Sequence, residues 1–194
     1  WLPVGVFTPF AVAAVVWNLL DGTTPLWQLL LLPLAGLMLW SLLEYVFHSV
    51  GFHWPTKSPR LQALQASHAG HHEVPSDPAR MVVRLVLTVP VAIVLFGLFS
   101  LAFGARPAAL LMAGLIVGYL AYEVVHYRIH VGRGPRWLRP LVRHHLYHHY
   151  KDPSRCYGVT SPLWDWVFRT GRPPRKAPVK ATPPLTQPAA PAGQ

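Results

Sequence analysis

Four apolar stretches limit what this chain of 194 residues can fold into. They cover residues 2–20, 26–47, 81–103 and 108–125, and each approaches the ~20 residues a helix needs to cross a bilayer. In hydrocarbon every backbone N–H and C=O must be satisfied within the segment, so such runs become helices. Composition agrees: 52% of residues are hydrophobic and 12% charged, with a mean hydropathy of +0.31, whereas soluble domains carry about 25% charged residues. Pro9, Pro33 and Pro90 fall inside the runs and should bend the helices, which membrane helices tolerate. DGTTP joins the first two runs and GARP the last two; both read as tight turns. The expected fold class is therefore all-α, an integral membrane protein with four transmembrane helices in two hairpins.

Charge orients the bundle. Of the 17 Lys and Arg, four lie within 54–84, twelve lie from Arg128 onward, and only Arg106 sits in a hairpin turn. The positive-inside rule places the long connections and the C-terminus on the cytoplasmic side. A net charge of +10 raises nucleic acid as a partner, but no aromatic-basic module accompanies it, and none is expected. Topology and attraction to anionic headgroups, worth about 1 kcal/mol per basic residue near the surface, explain the charge better. Arg80, Arg84, Arg133 and Arg136 form a basic face that reads as solvated, with lipid headgroup contact as the alternative. AVAA in the first run resembles a signal-peptide cleavage region, but no basic stretch precedes it, and the run reads as a retained helix.

Residues 1–171 then form one membrane domain, with a helical cytosolic cap built from 54–80 and 131–171. Tyr147, Tyr150, Tyr157, Trp164, Trp166 and Phe168 are expected to pack the cap and seat it at headgroup level. Residues 172–194, rich in Pro and Ala and basic, read as a disordered tail.

Ten of the 11 histidines gather in two matching clusters, one after each pair of apolar runs. The first holds His48, His53, His68, His71 and His72; the second holds His126, His130, His145, His148 and His149. HSVGFH at 48–53 precedes HAGHH at 68–72, and HYRIH at 126–130 precedes HLYHH at 145–149. The same fifteen-residue gap separates the two fragments in each cluster. At this histidine content a His-x-x-His-His triplet should arise by accident about 0.03 times per chain. Here it occurs twice at corresponding places, so the clusters form an internal repeat.

Helical spacing suits metal ligation. Residues at i, i+3 and i+4 lie within about 100° of arc, so each triplet can aim its imidazoles at one cavity. His126 and His130 share a face. His48 and His53 would diverge by about 140° on an unbroken helix, and Gly51 between them offers a place for the helix to end or unwind. Adjacent pairs, His71 with His72 and His148 with His149, point about 100° apart and can serve different ions. Ten ligands exceed the roughly four to six that one first-row ion takes, so two ions are the natural reading.

One cysteine, Cys156, leaves no thiolate cluster, and seven acids are too few for a carboxylate-bridged site. Glu44 and Glu123, four and three residues before His48 and His126, are candidates to accept the free N–H of a ligating imidazole. His144 has no counterpart in the first cluster, where Ser67 takes its place. It reads as a surface residue or a supporting group.

These residues resemble the membrane fatty acid hydroxylase and sterol desaturase superfamily, which repeats His-x(3 or 4)-His and His-x-x-His-His twice each. The likeness is strongest to its fatty acid 2-hydroxylase branch. LEYVFHSVGFH at 43–53 looks like that branch's first motif, and HAGHHEVPSDPARMV at 68–82 is similar to its second, including Pro75, Asp77 and Arg80. YEVVHYRIH at 122–130 resembles the third, and HLYHHY with YGVTSPLWDWVFRT at 157–170 the fourth. Ser49 and Glu123 depart from the branch, which often has a basic residue and Asp there; the departures bear on substrate contacts and leave metal binding untouched.

The resemblance implies four transmembrane helices under a cap that holds a dimetal centre with two iron ions, which zinc can replace in purified protein. It implies an O2-dependent hydroxylase acting on a lipid acyl chain, at carbon 2 of a free or amide-linked fatty acid. The 194 residues contain no cytochrome b5-like segment, so electrons are expected from an external donor such as a cytochrome b5-like protein or ferredoxin. Two alternatives stand beside this reading: a superfamily member acting on a carotenoid, sterol or aminolipid headgroup, and a membrane metal transporter or sensor.

Overall fold

A computed structural model describes residues 2–132 and 134–173. Four of its helices, Leu2–Asp21, Leu26–Phe52, Pro78–Phe103 and Ala105–His130, are long and apolar enough to cross a membrane. The regular elements are α1 (Leu2–Asp21), α2 (Leu26–Val46) continued by a π-helical turn (Phe47–Phe52), α3 (Pro59–Glu73), α4 (Pro78–Met81), α5 (Leu85–Phe103) and α6 (Ala105–His130). A 3₁₀ turn (Arg136–Leu138), α7 (Arg139–Tyr150) and α8 (Leu163–Val167) follow. Arg133 and nearly all of the 172–194 tail lie outside the described residues.

Helix α6 is the hub, and α1, α2 and α5 each pack against it. The α2/α6 seam is close because small residues line it. A Cβ on Gly114 would overlap the Pro33 carbonyl, one on Gly36 the Leu111 carbonyl, and one on Gly118 the Trp40 side chain. Gly114 and Gly118 stand four apart, the small-xxx-small spacing that brings membrane helices into backbone contact. On the other side of α6, Phe7 and Ala11 of α1 bury against Ala113, Ile116 and Tyr119. The Phe7 and Trp40 rings both meet Tyr119 edge-on, at centroid distances of 5.3 and 5.2 Å, an arrangement that adds to burial.

The four long helices follow in two pairs joined by short turns, and the two pairs pack differently. α5 and α6 pack on one another after the turn at Gly104, where φ of +85° suits glycine. α1 and α2, although joined by a short turn, make no comparable contact and each lies on α6 instead. The far ends of the bundle are tied by Asn18, which donates to the Ala14 and Arg106 carbonyls at 2.9 and 3.3 Å. Asp21 and Arg106 form an ion pair across the same end.

At the opposite end the short helices gather. α3 and α4 pack with the π turn and α6, α7 lies against α6, and α8 against α2. Prolines start several of these helices: Pro59 opens α3, Pro78 opens α4, and α7 has one in its first turn, where the missing N–H costs nothing. Trp54, Trp137, Tyr150 and Trp166 stay largely exposed at this end, as expected of residues that meet lipid headgroups.

Candidate metal centre

All ten clustered histidines come together at the capped end, in two groups of five. One group is His48, His53, His68, His72 and His148; the other is His71, His126, His130, His145 and His149. Within each group one ring nitrogen per residue lies within 4.8 Å of all the others. Each group therefore takes four histidines from one sequence cluster and one from the other. The exchange follows from helix geometry: His71 and His72 diverge on α3, as do His148 and His149 on α7.

Around Gly51 the helix widens into the π turn Phe47–Phe52 and ends there, with His53 as its C-cap; the i→i+5 bonding of such a turn brings residues five apart onto one face. Such turns recur at functional sites.

The tautomers follow from three carbonyls. Nδ1 of His48 lies 2.5 Å from the Tyr157 oxygen, Nδ1 of His126 lies 3.0 Å from that of Met81, and Nδ1 of His148 lies 2.8 Å from that of Arg155. A carbonyl only accepts, so Nδ1 carries the hydrogen in all three and Nε2 presents a lone pair. These lone pairs face other Nε2 atoms. His53, His68, His72 and His148 close a ring of four with sides of 2.9, 3.1, 3.1 and 3.1 Å, and the Nε2 of His48 is buried without a protein partner. In the other group His130 stands 3.2, 3.2 and 3.0 Å from His71, His126 and His145, with His145 3.0 Å from His149.

Ring nitrogens that turn their lone pairs toward one point repel one another unless they share a cation. Bonds of about 2.0–2.1 Å at right angles set neighbouring nitrogens about 2.9 Å apart, close to the observed spacings, so the donor sets fit a first-row ion in each group. The electrostatics agree. Burial, then the charge of neighbouring imidazoles, pushes His53 down to about 4 and His71 and His148 to about 3, and lowers His68 and His145 well below the ordinary range. Neutral imidazole is the state that binds metal.

The two glutamates do not touch the imidazoles as expected. Glu44 instead accepts the backbone N–H groups of Val159 and Thr160 at 2.5 and 2.9 Å and the Thr160 hydroxyl at 2.5 Å. Glu123 accepts the Val83 N–H at 3.1 Å. Carbonyl oxygens already take the imidazole N–H, and each glutamate holds the segment that supplies one. Val159 stands two residues after Tyr157, and Val83 two after Met81, so the two halves of the repeat use the same arrangement.

His144 is buried rather than on the surface and lies outside both groups. Its Nε2 is 2.9 Å from Asp165 Oδ2. Asp165 also accepts from the Tyr157 and Gly158 N–H groups at 2.9 and 2.7 Å and from Thr170 Oγ1 at 2.7 Å. Burial raises its pKa, but these bonds, His144 foremost, outweigh that and leave it lowered. Asp165 was missed among the candidate residues; the signal was a carboxylate set in the apolar run PLWDWVF. Arg80 also has a different role from a headgroup contact, since it donates to the Gly70 carbonyl at 2.9 Å and to Asp77 at 3.2 Å, tying α4 to the helix that carries HAGHH.

Beside the first group an apolar cavity of about 310 Å³ runs between the helices, lined by Phe7, Trp40, Phe47, Leu87, Ile116 and other residues, with His48 in its wall.

A family model described as fatty acid hydroxylase matches residues 33–170. The chain belongs to the fatty acid hydroxylase family. Within the family it is similar to fatty acid 2-hydroxylases. It is 35% identical over 145 residues to dihydroceramide fatty acyl 2-hydroxylase FAH2 of Arabidopsis thaliana, covering 74% of this chain and 61% of that protein. It is 31% identical over 140 residues to fatty acid 2-hydroxylase of Rattus norvegicus, covering 70% and 38%. A solved structure of full-length scs7p, with only the hydroxylase domain visible, superposes with a TM-score of 0.83 at 29% identity, over 91% of this chain and 67% of that one. The chain thus spans about 61% and 38% of the length of these two relatives.

Proposed function

We propose that this chain is a membrane hydroxylase that inserts a hydroxyl group, with oxygen drawn from O2, into the acyl chain of a lipid. The observation that carries the proposal is His48, which belongs both to a five-histidine group and to the wall of the apolar cavity. A saturated tail lying in that cavity would bring its C–H bonds beside the metal centre. The fatty acyl 2-hydroxylase relatives favour carbon 2 as the position attacked.

His48, His53, His68, His72 and His148 would hold one ion, and His71, His126, His130, His145 and His149 the other. Iron in both groups supplies the redox chemistry that activates dioxygen, for which zinc has no capacity. The protein's share is positional. The three carbonyls fix imidazole tautomers, Glu44 and Glu123 fix the segments bearing two of those carbonyls, and Asp165 with His144 fixes the loop that carries Tyr157. The cavity walls hold the tail and exclude water. Electrons would come from a separate donor, a cytochrome b5-like protein or a ferredoxin. The distribution of Lys and Arg supports a cytoplasmic placement for the centre and the C-terminal side, and residues 1–171 would form the working unit.

Expression in a host supplied with iron, followed by lipid mass spectrometry, tests the proposal. The expected result is a lipid class heavier by one oxygen atom in the acyl part, absent with His148→Ala. Loss of that difference in every class, with both ions bound, would reject the reaction.

A further inference from the structure

The cavity beside His48 has walls from helices that do not close on each other. Leu43, Glu44, Phe47 and His48 of α2 and its π turn form one wall, and Leu87, Val91 and Leu95 of α5 form another. α2 and α5 each pack on α6, yet no packing comparable to those contacts joins α2 to α5 among the described residues. Three residues lining the cavity remain open to the outside: Phe47 is 40% exposed, Leu87 38% and Val91 42%. At depth the cavity meets Phe7, Ile116 and Tyr119, each buried in the core cluster, so that end is filled by packed side chains. Its α5 wall runs from Leu87 to Leu95, a helical rise of about 12 Å.

We infer that the substrate lipid enters this cavity sideways from the bilayer, tail first, through the gap between α2 and α5 bounded by Phe47, Leu87 and Val91. The inference rests on the proposed acyl-chain hydroxylation and adds the route. A lipid tail already dissolved in the bilayer reaches the centre by this path without crossing water, so its apolar surface is never exposed. The polar headgroup stays at the capped end, where the histidine groups and the exposed Trp54 and Tyr150 lie. A route through the cap would instead carry the tail past Arg80 and Arg84, beside which only a small, mixed polar pocket of about 40 Å³ opens.

A reversible tether across the gap tests this. The single native cysteine, Cys156, is fully buried, so a Phe47→Cys, Val91→Cys pair would be the accessible thiols. Iron-loaded protein in lipid nanodiscs containing a saturated acyl substrate, assayed with O2 and a cytochrome b5-like or ferredoxin electron donor, is joined with a reducible bifunctional maleimide. Hydroxylation is expected to fall to background on tethering and return on reduction, with metal content constant throughout. Full activity in the tethered protein would overturn the lateral route. Val91→Trp provides a second measurement: an increased KM with kcat and bound metal held supports the route, and an unchanged KM contradicts it. Absence of hydroxylation in the untethered wild-type chain would count against the proposed reaction, separately from the route.

Discussion

His48 donates its Nδ1 hydrogen to the Tyr157 carbonyl at 2.5 Å, and Glu44, one turn earlier on the same helix, holds the N–H groups of Val159 and Thr160, two and three residues beyond Tyr157. Glu123, His126 and Met81 repeat the pattern on α6. Each glutamate therefore positions an imidazole through the backbone.

Glu44→Gln should weaken the ion in the His48 group, and Glu123→Gln the ion in the His126 group. The neutral amide keeps one acceptor oxygen for the backbone N–H groups but gives up the charge-assisted strength of those bonds. Changes around metal ligands commonly cost about 10–100-fold in affinity, and the indirect link here places the expected loss near the lower bound. Chelator competition, read as two separate release steps, checks it. Equal weakening of both steps by either variant would contradict the assignment.

Asp165→Asn should destabilise the fold by about 3 kcal/mol, the scale for breaking a buried charged network. It removes a carboxylate that serves four donors, including His144 and the Tyr157 N–H. Thermal unfolding of metal-free protein in detergent measures this, and an unchanged midpoint would show that the network carries no stability.

Metal-free protein should lose stability on acidification. His53 is pushed down to about 4, and His71 and His148 to about 3, from an ordinary 6.5. Between those values the unfolded chain binds protons that the folded chain refuses. The stabilising difference is present in full above pH 6.5 and diminishes as pH falls toward 3–4. Melting midpoints of chelator-treated protein should fall from pH 7 to pH 5; a rise would reverse the sign argued here.

Gly114→Ala should sharply reduce the yield of monodisperse protein, because its methyl meets the Pro33 backbone where neither helix can yield. Gly97→Ala on α5 faces open space and should be tolerated, with a gain of up to about 1 kcal/mol from helix propensity. Equal yields for the two would show that the α2/α6 seam is not a close contact.

The four apolar runs and the ten histidines were legible because hydropathy and helical spacing act along the chain. α6 extends to His130, beyond the apolar run ending at 125, because His126 is buried in the centre and hydropathy registers only its polarity. That the adjacent pairs His71/His72 and His148/His149 serve different groups was legible from helical spacing, but which member of each pair joins which group was not, since that depends on how α3 and α7 are placed. Nor were the anchors Tyr157, Met81 and Arg155: they act through carbonyl oxygens, which every residue possesses. Glu44 and Glu123 were recognisable as important by position, but their partners lie 115 and 40 residues away, a separation that local spacing does not encode.

The most direct test of the whole account is the origin of the inserted oxygen. Iron-loaded protein with an electron donor and a saturated acyl lipid is supplied with isotopically heavy dioxygen in ordinary water. The expected product is a heavy hydroxyl on the acyl chain, formed only when both histidine groups are intact and lost with His148→Ala or His145→Ala. A hydroxyl bearing the light oxygen of water, or equal product from either variant, would contradict it.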